Sequence, residues 1–177
     1  MKLFCDLHIH SCLSPCGDAL MTPNNIVGMA FIKQLDAIAV CDHNCARNLP
    51  AIKEVADMMN VLLLPGMELT TREEAHMLCY FRTVEECVTF GEQIYAHLPP
   101  IPNREAFFGR QQVMNAQDEE IAVEERLLMP GMNPNRADIL PYGLAILIGF
   151  MHLSGAQALT ISDRGNVYGF IKRMAGE

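Results

Sequence analysis

The spacing of hydrophobic residues in the first half of the chain alternates between the periods of strands and helices. Residues 2–10 alternate loosely and then meet a turn-forming segment at 14–18, which predicts a strand followed by a loop. Residues 23–34 carry apolar side chains at helical spacing behind Thr22, which predicts a helix. The same reasoning predicts strands at 36–40, 61–65 and 76–81 and helices at 50–60 and 84–97. This alternation favours an α/β fold with a parallel sheet or barrel.

The regular alternation is lost after residue 98. Two short segments at 111–114 and 120–124 flank a polar turn, which predicts a hairpin. We interpret residues 99–128 as an insertion or lid. Residues 129–177 are interpreted as an atypical closing segment of a single domain, 1–177.

Composition and charge narrow the classes of partner. Half of the 177 residues are hydrophobic and the formal net charge is −8, which argues against stable binding to nucleic acid through a basic face. The apolar run at 139–151 is shorter than the ~20 residues of a membrane span, and Asp6 comes too early for a signal peptide. Seven scattered cysteines favour reduced thiols. We therefore expect a cytoplasmic protein that binds no membrane.

Residue types that bind metals recur at the ends of the predicted strands. His8 and His10 are two residues apart on the first strand, so both imidazoles point to one face. Glu68 follows a glycine at the end of the third strand, and its two oxygens could bridge two cations. His43 and His76 lie at two further strand ends. Because buried unpaired imidazoles are costly, this recurrence favours a shared metal site over core packing.

Three charged residues near these positions could support such a site. Asp42 could orient the ring of His43, or a ring on a neighbouring strand, by a hydrogen bond. Arg47 and Arg72 could hold a phosphate through their planar donors. Exposed surface arginine is the interpretation that we favour for both, so neither is assigned a catalytic role.

The first half of the chain, residues 2–98, resembles the polymerase and histidinol phosphatase (PHP) superfamily. The resemblance rests on Asp6-Leu7-His8-Ile9-His10-Ser11, Asp42-His43-Asn44, Gly66-Met67-Glu68 and His76. It implies a distorted (β/α)7-type barrel that carries two or three divalent ions, zinc, manganese or iron, and hydrolyses phosphoesters with a metal-activated water. A small phosphorylated substrate follows from the same resemblance.

The resemblance also implies a ligand for each ion. The first ion would be held by His8, His10 and Glu68, and the second by Glu68 and His76. The third would be held by His43 and a loop residue, for which Asp18 and Cys16 are the candidates.

We favour Asp18 over Cys16 because a carboxylate at a Gly-Asp turn is a hard oxygen ligand. Asp6 and Asp42 would support the ligands through hydrogen bonds.

The last third of the chain departs from the family pattern. Members close with an Asp-x-His pair, whereas this chain has Asp163 in the carboxylate position and Gly165 in place of the imidazole. We therefore expect a barrel that is incomplete at its C-terminal end. Either the site holds fewer ions, or the chain is a catalytically reduced, metal-binding or regulatory member. A missing strand would leave an open sheet edge, so a homo-oligomer is a further expectation.

Sulfur supports a competing interpretation. Cys12 and Cys16 are four residues apart, as are Cys41 and Cys45, a spacing compatible with a structural zinc site or a redox cluster. Packing of small apolar side chains in the core explains Cys41 more simply. An amidohydrolase also uses His-x-His on a barrel strand, but the late aspartate and histidines that it needs have no clear counterpart here.

Overall fold

Strands and helices alternate along the first part of the chain, as the hydrophobic pattern predicts. The computed structural model describes residues 2–71 and 75–129, all within one compact unit, Met1–Gly131. The elements in chain order are β1 (Cys5–Ile9), α1 (Pro23–Ile32), β2 (Ala37–Val40), α2 (Leu49–Met58), β3 (Leu62–Leu63), β4 (Gly66–Thr70), β5 (His76–Tyr80), α3 (Val84–His97), α4 (Glu105–Phe108), β6 (Gln112–Met114) and β7 (Glu120–Val123).

The first three strands form a parallel sheet in the order β1-β2-β3. Every residue of the central strand β2 is buried, as expected for a parallel strand that is covered on both faces. Helix α1 begins at Pro23, behind the N-cap Thr22, whose hydroxyl accepts a hydrogen bond from the backbone N–H of Asn25. The carboxyl ends of β1 and β2 therefore lie side by side, with the first two histidine motifs at one edge of the sheet.

The fourth predicted strand runs in a different direction from the first three. Strand β5 pairs with β4 in antiparallel register, with Thr70 opposite His76. The backbone of Glu68 is bonded to the segment after β2, because its N–H donates to the carbonyl of Asp42 and its carbonyl accepts from the N–H of Asn44. A single parallel bridge between His43 and Glu68 thus joins β4 to the second motif, and the antiparallel partner β5 brings His76 back to the same edge.

The expectation of a barrel is only partly met. The described strands form a three-stranded parallel sheet and two antiparallel pairs, and no closed barrel is present among residues 2–71 and 75–129. The core lies between the sheet and helices α1, α2 and α3, and its fully buried members include Val27, Ile38, Ile52 and Met67. This core fixes the strands whose ends carry the candidate ligands.

The predicted hairpin is present as β6 and β7, which pair in antiparallel register. Its first strand is bound to Asn48, whose side chain donates to the carbonyl of Gln112 and accepts from the N–H of Met114. Its turn contacts the start of α1, because the carboxylate of Asp118 accepts a hydrogen bond of 2.6 Å from the hydroxyl of Thr22. These contacts fasten the hairpin beside the first motif; that residues 99–128 act as a lid stays a prediction.

The predictions for the last third fall on residues 130–177, outside the described part of the chain, as does the expected incomplete end of the barrel. Over residues 2–71 and 75–129, no helix has the length and apolar character needed to cross a membrane.

Candidate metal centre

One buried carboxylate lies at the centre of the candidate site. The Oε2 atom of Glu68 is 2.9 Å from Nε2 of His8 and 3.2 Å from Nε2 of His10. Its other oxygen, Oε1, is 2.8 Å from Nδ1 of His76. The Nε2 atom of His43 lies 3.7 Å from Oε2. The structure therefore brings together all four imidazoles and the glutamate that the sequence singled out.

Local backbone geometry explains how Glu68 reaches this position. A Cβ atom on Gly66 would lie 2.5 Å from the sulfur of Cys41, so only glycine lets β4 approach the end of β2 this closely. Glu68 follows two residues later on β4 and points to the same side of the strand. The close approach at Gly66 thus places the carboxylate next to the second motif.

The electrostatics of the cluster are dominated by burial and by the contacts to Glu68. Burial raises the pKa of Glu68, but the hydrogen bonds from His10 and His8 outweigh it and leave that pKa well below its usual range. Burial and the neighbouring imidazoles lower the pKa of His43 to about 4. At neutral pH the carboxylate is therefore ionised and the His43 ring is neutral, the forms in which both bind metal ions.

The pKa of His10 is shifted in the opposite direction from that of His43. Burial lowers its pKa, but contacts with Cys16 and Glu68 outweigh burial and raise it to about 10. A proton and a divalent ion compete for the same ring nitrogen, so the assignment of the two nitrogens matters.

A serine determines which nitrogen of His10 is available. The hydroxyl of Ser14 donates to the carboxylate of Asp42 at 2.9 Å and accepts from the backbone N–H of His43 at 3.1 Å. Its single proton is thereby used, so Nδ1 of His10, 3.1 Å away, has to donate to the remaining lone pair. Nε2 of His10, which faces Glu68, is then the nitrogen for which a proton and a metal ion compete.

Asp42 lies behind this arrangement as a buried hydrogen-bond acceptor. It accepts from the backbone N–H of Ser11 at 2.7 Å and from the hydroxyls of Ser11 and Ser14 at 2.6 and 2.9 Å. Burial raises the pKa of Asp42, although these hydrogen bonds act in the opposite direction. Asp42 is thus connected through Ser14 to the ring of His10; that it orients this ring stays a prediction. Asp6 is exposed and accepts a hydrogen bond from the backbone N–H of His8.

Sequence reasoning missed the two serines that connect Asp42 to the histidine motif. Ser11 and Ser14 are almost completely buried, at 0% and 1% exposure. Nothing in the sequence distinguished Ser14 from an ordinary turn residue; only its position four residues after His10 could have pointed to it.

The loop after β1 places Cys16 beside the cluster. The sulfur of Cys16 and one nitrogen each of His10 and His43 all lie within 4.8 Å of one another. Asp18, which we favoured, is absent from the three ligand groups found in the described part of the chain. Its carboxylate accepts a hydrogen bond of 2.8 Å from the backbone N–H of Leu20, in an exposed turn.

Of the two arginines that could hold a phosphate, the structure describes Arg47. The guanidinium of Arg47 contacts the buried carboxylate of Glu124 and lies 5.0 Å from the centre of the Tyr95 ring. Its charge is thereby matched within the fold. Arg72 lies outside the described residues, as does Asp163.

The donors fit a divalent metal ion in type and in spacing. Bond lengths of zinc to nitrogen and oxygen place neighbouring tetrahedral ligands about 3.3 Å apart. The contacts of Glu68 with the four imidazoles, 2.8 to 3.7 Å, bracket that separation. Residues that could hold ions form three overlapping groups: His8, His10 and Glu68; His43, Glu68 and His76; and His10, Cys16 and His43.

The competing arrangement with paired cysteines has less support from the geometry. Cys12, Cys41 and Cys45 are buried free thiols. Burial raises the pKa of Cys12 and of Cys45 to about 11. No group of three or more potential ligands within residues 2–71 and 75–129 contains two cysteines.

The fold and the site define a mixed α/β protein with a candidate metal centre at the carboxyl edge of a parallel sheet. No family model matches the chain. It is 29% identical over 69 residues to a 5′-3′ exoribonuclease from Haemophilus influenzae, which covers 39% of this chain and 24% of that protein. It is 33% identical over 73 residues to the 5′-3′ exoribonuclease Rnm from Salmonella typhimurium, with 40% and 24% covered. The match thus spans about a quarter of the length of these curated relatives.

Two solved structures share part of the chain's geometry. A protein described as a metal-dependent phosphoesterase from Bifidobacterium adolescentis has a TM-score of 0.39 and 26% identity, over 45% of this chain and 28% of its own. An amidohydrolase from Chromobacterium violaceum has a TM-score of 0.36 and 25% identity, over 42% and 25%. TM-scores of this size do not establish a common fold.

Proposed function

We propose that this protein is a metal-dependent hydrolase of phosphoesters. The observation that carries the proposal is the buried Glu68 carboxylate, surrounded by four imidazoles at 2.8 to 3.7 Å. This arrangement costs free energy, because the rings of His10 and His43 lose most of their contact with water, and a bound cation would offset that cost. The partial similarity to two exoribonucleases, enzymes that act on phosphodiester bonds, supports the same chemistry.

The residues of this chain would bind and orient, and the ions would supply the reactivity. When bound, divalent ions lower the pKa of a coordinated water and offset the charge of a phosphate group. Glu68 offers one oxygen to each side of the cluster, towards His8 through Oε2 and towards His76 through Oε1. Ser14 holds His10 in the form whose Nε2 can bind. No nucleophilic side chain is required.

The substrate that we infer is a phosphoester whose phosphate approaches from the solvent side. His8 is 40% exposed and His76 is 28% exposed, whereas Glu68 and His43 lie behind them at 7% and 4%. The relatives favour a short RNA or another phosphodiester as the first substrate to test. The net charge of −8 opposes tight binding of long nucleic acid but not turnover of a short one.

The test is hydrolysis by the full chain after loading with Zn²⁺, Mn²⁺ or Fe²⁺. The substrates are p-nitrophenyl phosphate, bis-p-nitrophenyl phosphate and a short 5′-phosphorylated RNA, and the metal content is measured by mass spectrometry. Activity should be lost in His8→Ala and in Glu68→Gln. The matched control is His97→Ala, since the hydrogen bond of this exposed histidine to the described residues is with the carbonyl of Gln93 in α3.

Two results would contradict the proposal. A chain that binds metal but hydrolyses none of the substrates would favour the alternative function, a catalytically reduced metal-binding or regulatory protein. A chain that binds no divalent ion would refute both.

A further inference from the structure

We propose that Cys16 is a metal ligand which, with His43, gives one ion position of the centre a sulfur donor and a preference for Zn²⁺, Fe²⁺ or Co²⁺ over Mn²⁺ and Mg²⁺. The inference rests on the metal centre of the proposed function and adds the chemical class of one of its ions. It replaces the oxygen ligand Asp18 that the sequence favoured.

The first support is the position of the sulfur. Cys16 approaches the rings of His10 and His43, and the ligand atoms of the three residues lie within 4.8 Å of one another. The two rings are stacked, with centroids 4.8 Å apart and planes 15° from parallel. A thiol beside two imidazoles is a ligand set that zinc and other thiophilic ions prefer.

The loop holds Cys16 there by backbone contacts. The N–H of Gly17 donates to the carbonyl of Ser14 at 2.9 Å, and the N–H of Ser14 donates to the carbonyl of Ser11 at 3.1 Å. A Cβ atom at Gly17 would lie 1.9 Å from the carbonyl oxygen of Ser11, so the loop can close only with glycine at this position. The tight turn directs the neighbouring Cys16 to the cluster.

The burial of Cys16 differs from that of the cysteines that pack in the core. Cys16 is exposed and is a free thiol, so an ion can reach it from the solvent. By contrast, four free thiols are buried: Cys12, Cys41, Cys45 and Cys87.

Cys16 could share an ion with His10 or with His43, and the other contacts of the two rings favour His43. Nδ1 of His10 donates to Ser14 and its Nε2 lies 3.2 Å from Glu68, so His10 is engaged with the ion that Glu68 and His8 would hold. His43 is farther from Glu68, at 3.7 Å, and its Nδ1 lies 3.3 Å from the hydroxyl of Thr70. Cys16 and His43 therefore form the pair that is left for a separate ion.

The experiment titrates the metal-free full chain with Co²⁺ and follows the near-ultraviolet band that arises only when a thiolate binds cobalt. We expect this band in the parent chain and in Cys5→Ser, which removes another exposed thiol. Cys16→Ser should lose the band and bind one equivalent of Zn²⁺ per chain fewer, as measured by mass spectrometry. Circular dichroism identifies any variant that fails to fold.

A second measurement does not depend on a variant. Zn²⁺ should slow alkylation of Cys16 by iodoacetamide at least tenfold, whereas Mg²⁺ should not, and labelling of Cys5 should stay unchanged with either ion.

The outcomes separate this inference from the proposed function. If the parent chain binds cobalt without the thiolate band, and zinc does not protect Cys16, the inference is overturned while the metal centre stands. If the parent chain binds no ion at all, the proposed function fails together with it.

Discussion

Replacement of Ser14 by alanine should weaken both the fold and metal binding, and the two losses have separate causes. The hydroxyl of this residue makes three contacts: it donates to Asp42, accepts from the backbone N–H of His43, and accepts from Nδ1 of His10. Its loss leaves a buried N–H without a partner and removes one donor from a buried carboxylate, which together cost about 3 kcal/mol. For a domain of this size that corresponds to a fall in Tm of about 6 to 12 °C.

The effect on metal binding has a separate cause. Without Ser14 nothing fixes the proton on Nδ1 of His10, so the ring can also present the wrong nitrogen to the ion. Loss of such a supporting hydrogen bond typically lowers metal affinity by about 10- to 100-fold. We would measure zinc affinity by competition with a chromophoric chelator and Tm by calorimetry on the metal-free chain.

Ser11→Ala is the matched control for this variant. Its hydroxyl also donates to Asp42 and accepts from the side chain of Asn48, but it makes no contact with the His10 ring. It should therefore lower Tm by a similar amount and leave zinc affinity within a few-fold of the parent. Equal losses of zinc affinity in the two variants would refute the role of Ser14 in orienting His10.

Three further predictions follow from the packing. Iodoacetamide should label Cys5 and Cys16 in the folded metal-free chain, read by mass spectrometry, whereas early labelling of the buried cysteines would contradict their burial. The cysteines expected to react only on unfolding are Cys12, Cys41, Cys45 and Cys87. Gly66→Ala should destabilise the chain by about 1–3 kcal/mol in denaturant unfolding, and Cys41→Ala should restore part of that loss, because the sulfur is the nearest atom to the new Cβ. Asn48→Ala should lower Tm and increase proteolysis of the β6–β7 hairpin, since Asn48 holds its first strand; an unchanged cleavage rate would exclude that role.

The sequence predicted the elements well where a single period dominates. The buried run of β2 and the helical spacing of α1, which begins behind Thr22, both gave the right element type. The pairing direction of β5 could not be read in this way, because the alternation of side chains along a strand is the same in parallel and antiparallel sheets. The approach of His76 to Glu68 depends on that direction. The sequence therefore predicts that His76 belongs to the cluster but not how it contacts Glu68.

The choice between Asp18 and Cys16 as loop ligand, which stays a prediction, shows a different limit of sequence reasoning. Asp18 was favoured over Cys16 on the chemistry of oxygen ligands alone, which takes no account of where the backbone points. The turn that ends at Gly17 directs the sulfur to the histidines, whereas the Asp18 carboxylate binds the backbone of its own turn. Likewise, Ser14 contacts Asp42 and His43, which are 28 and 29 residues away in sequence, and such contacts have no local signature.

The number of donors predicts that the ions bind with unequal affinity. If each imidazole gives one nitrogen and His43 shares an ion with Cys16 as proposed, the described residues offer three protein ligands to one ion, His8, His10 and Glu68, and two to each of the others. Catalytic zinc sites normally have three protein ligands, so only the first position is complete within the described part of the chain. Dialysis of the zinc-loaded chain against increasing chelator should therefore leave one equivalent bound after the rest are removed. Simultaneous loss of all ions would show that the positions are equivalent, or that residues beyond the described part complete the other two.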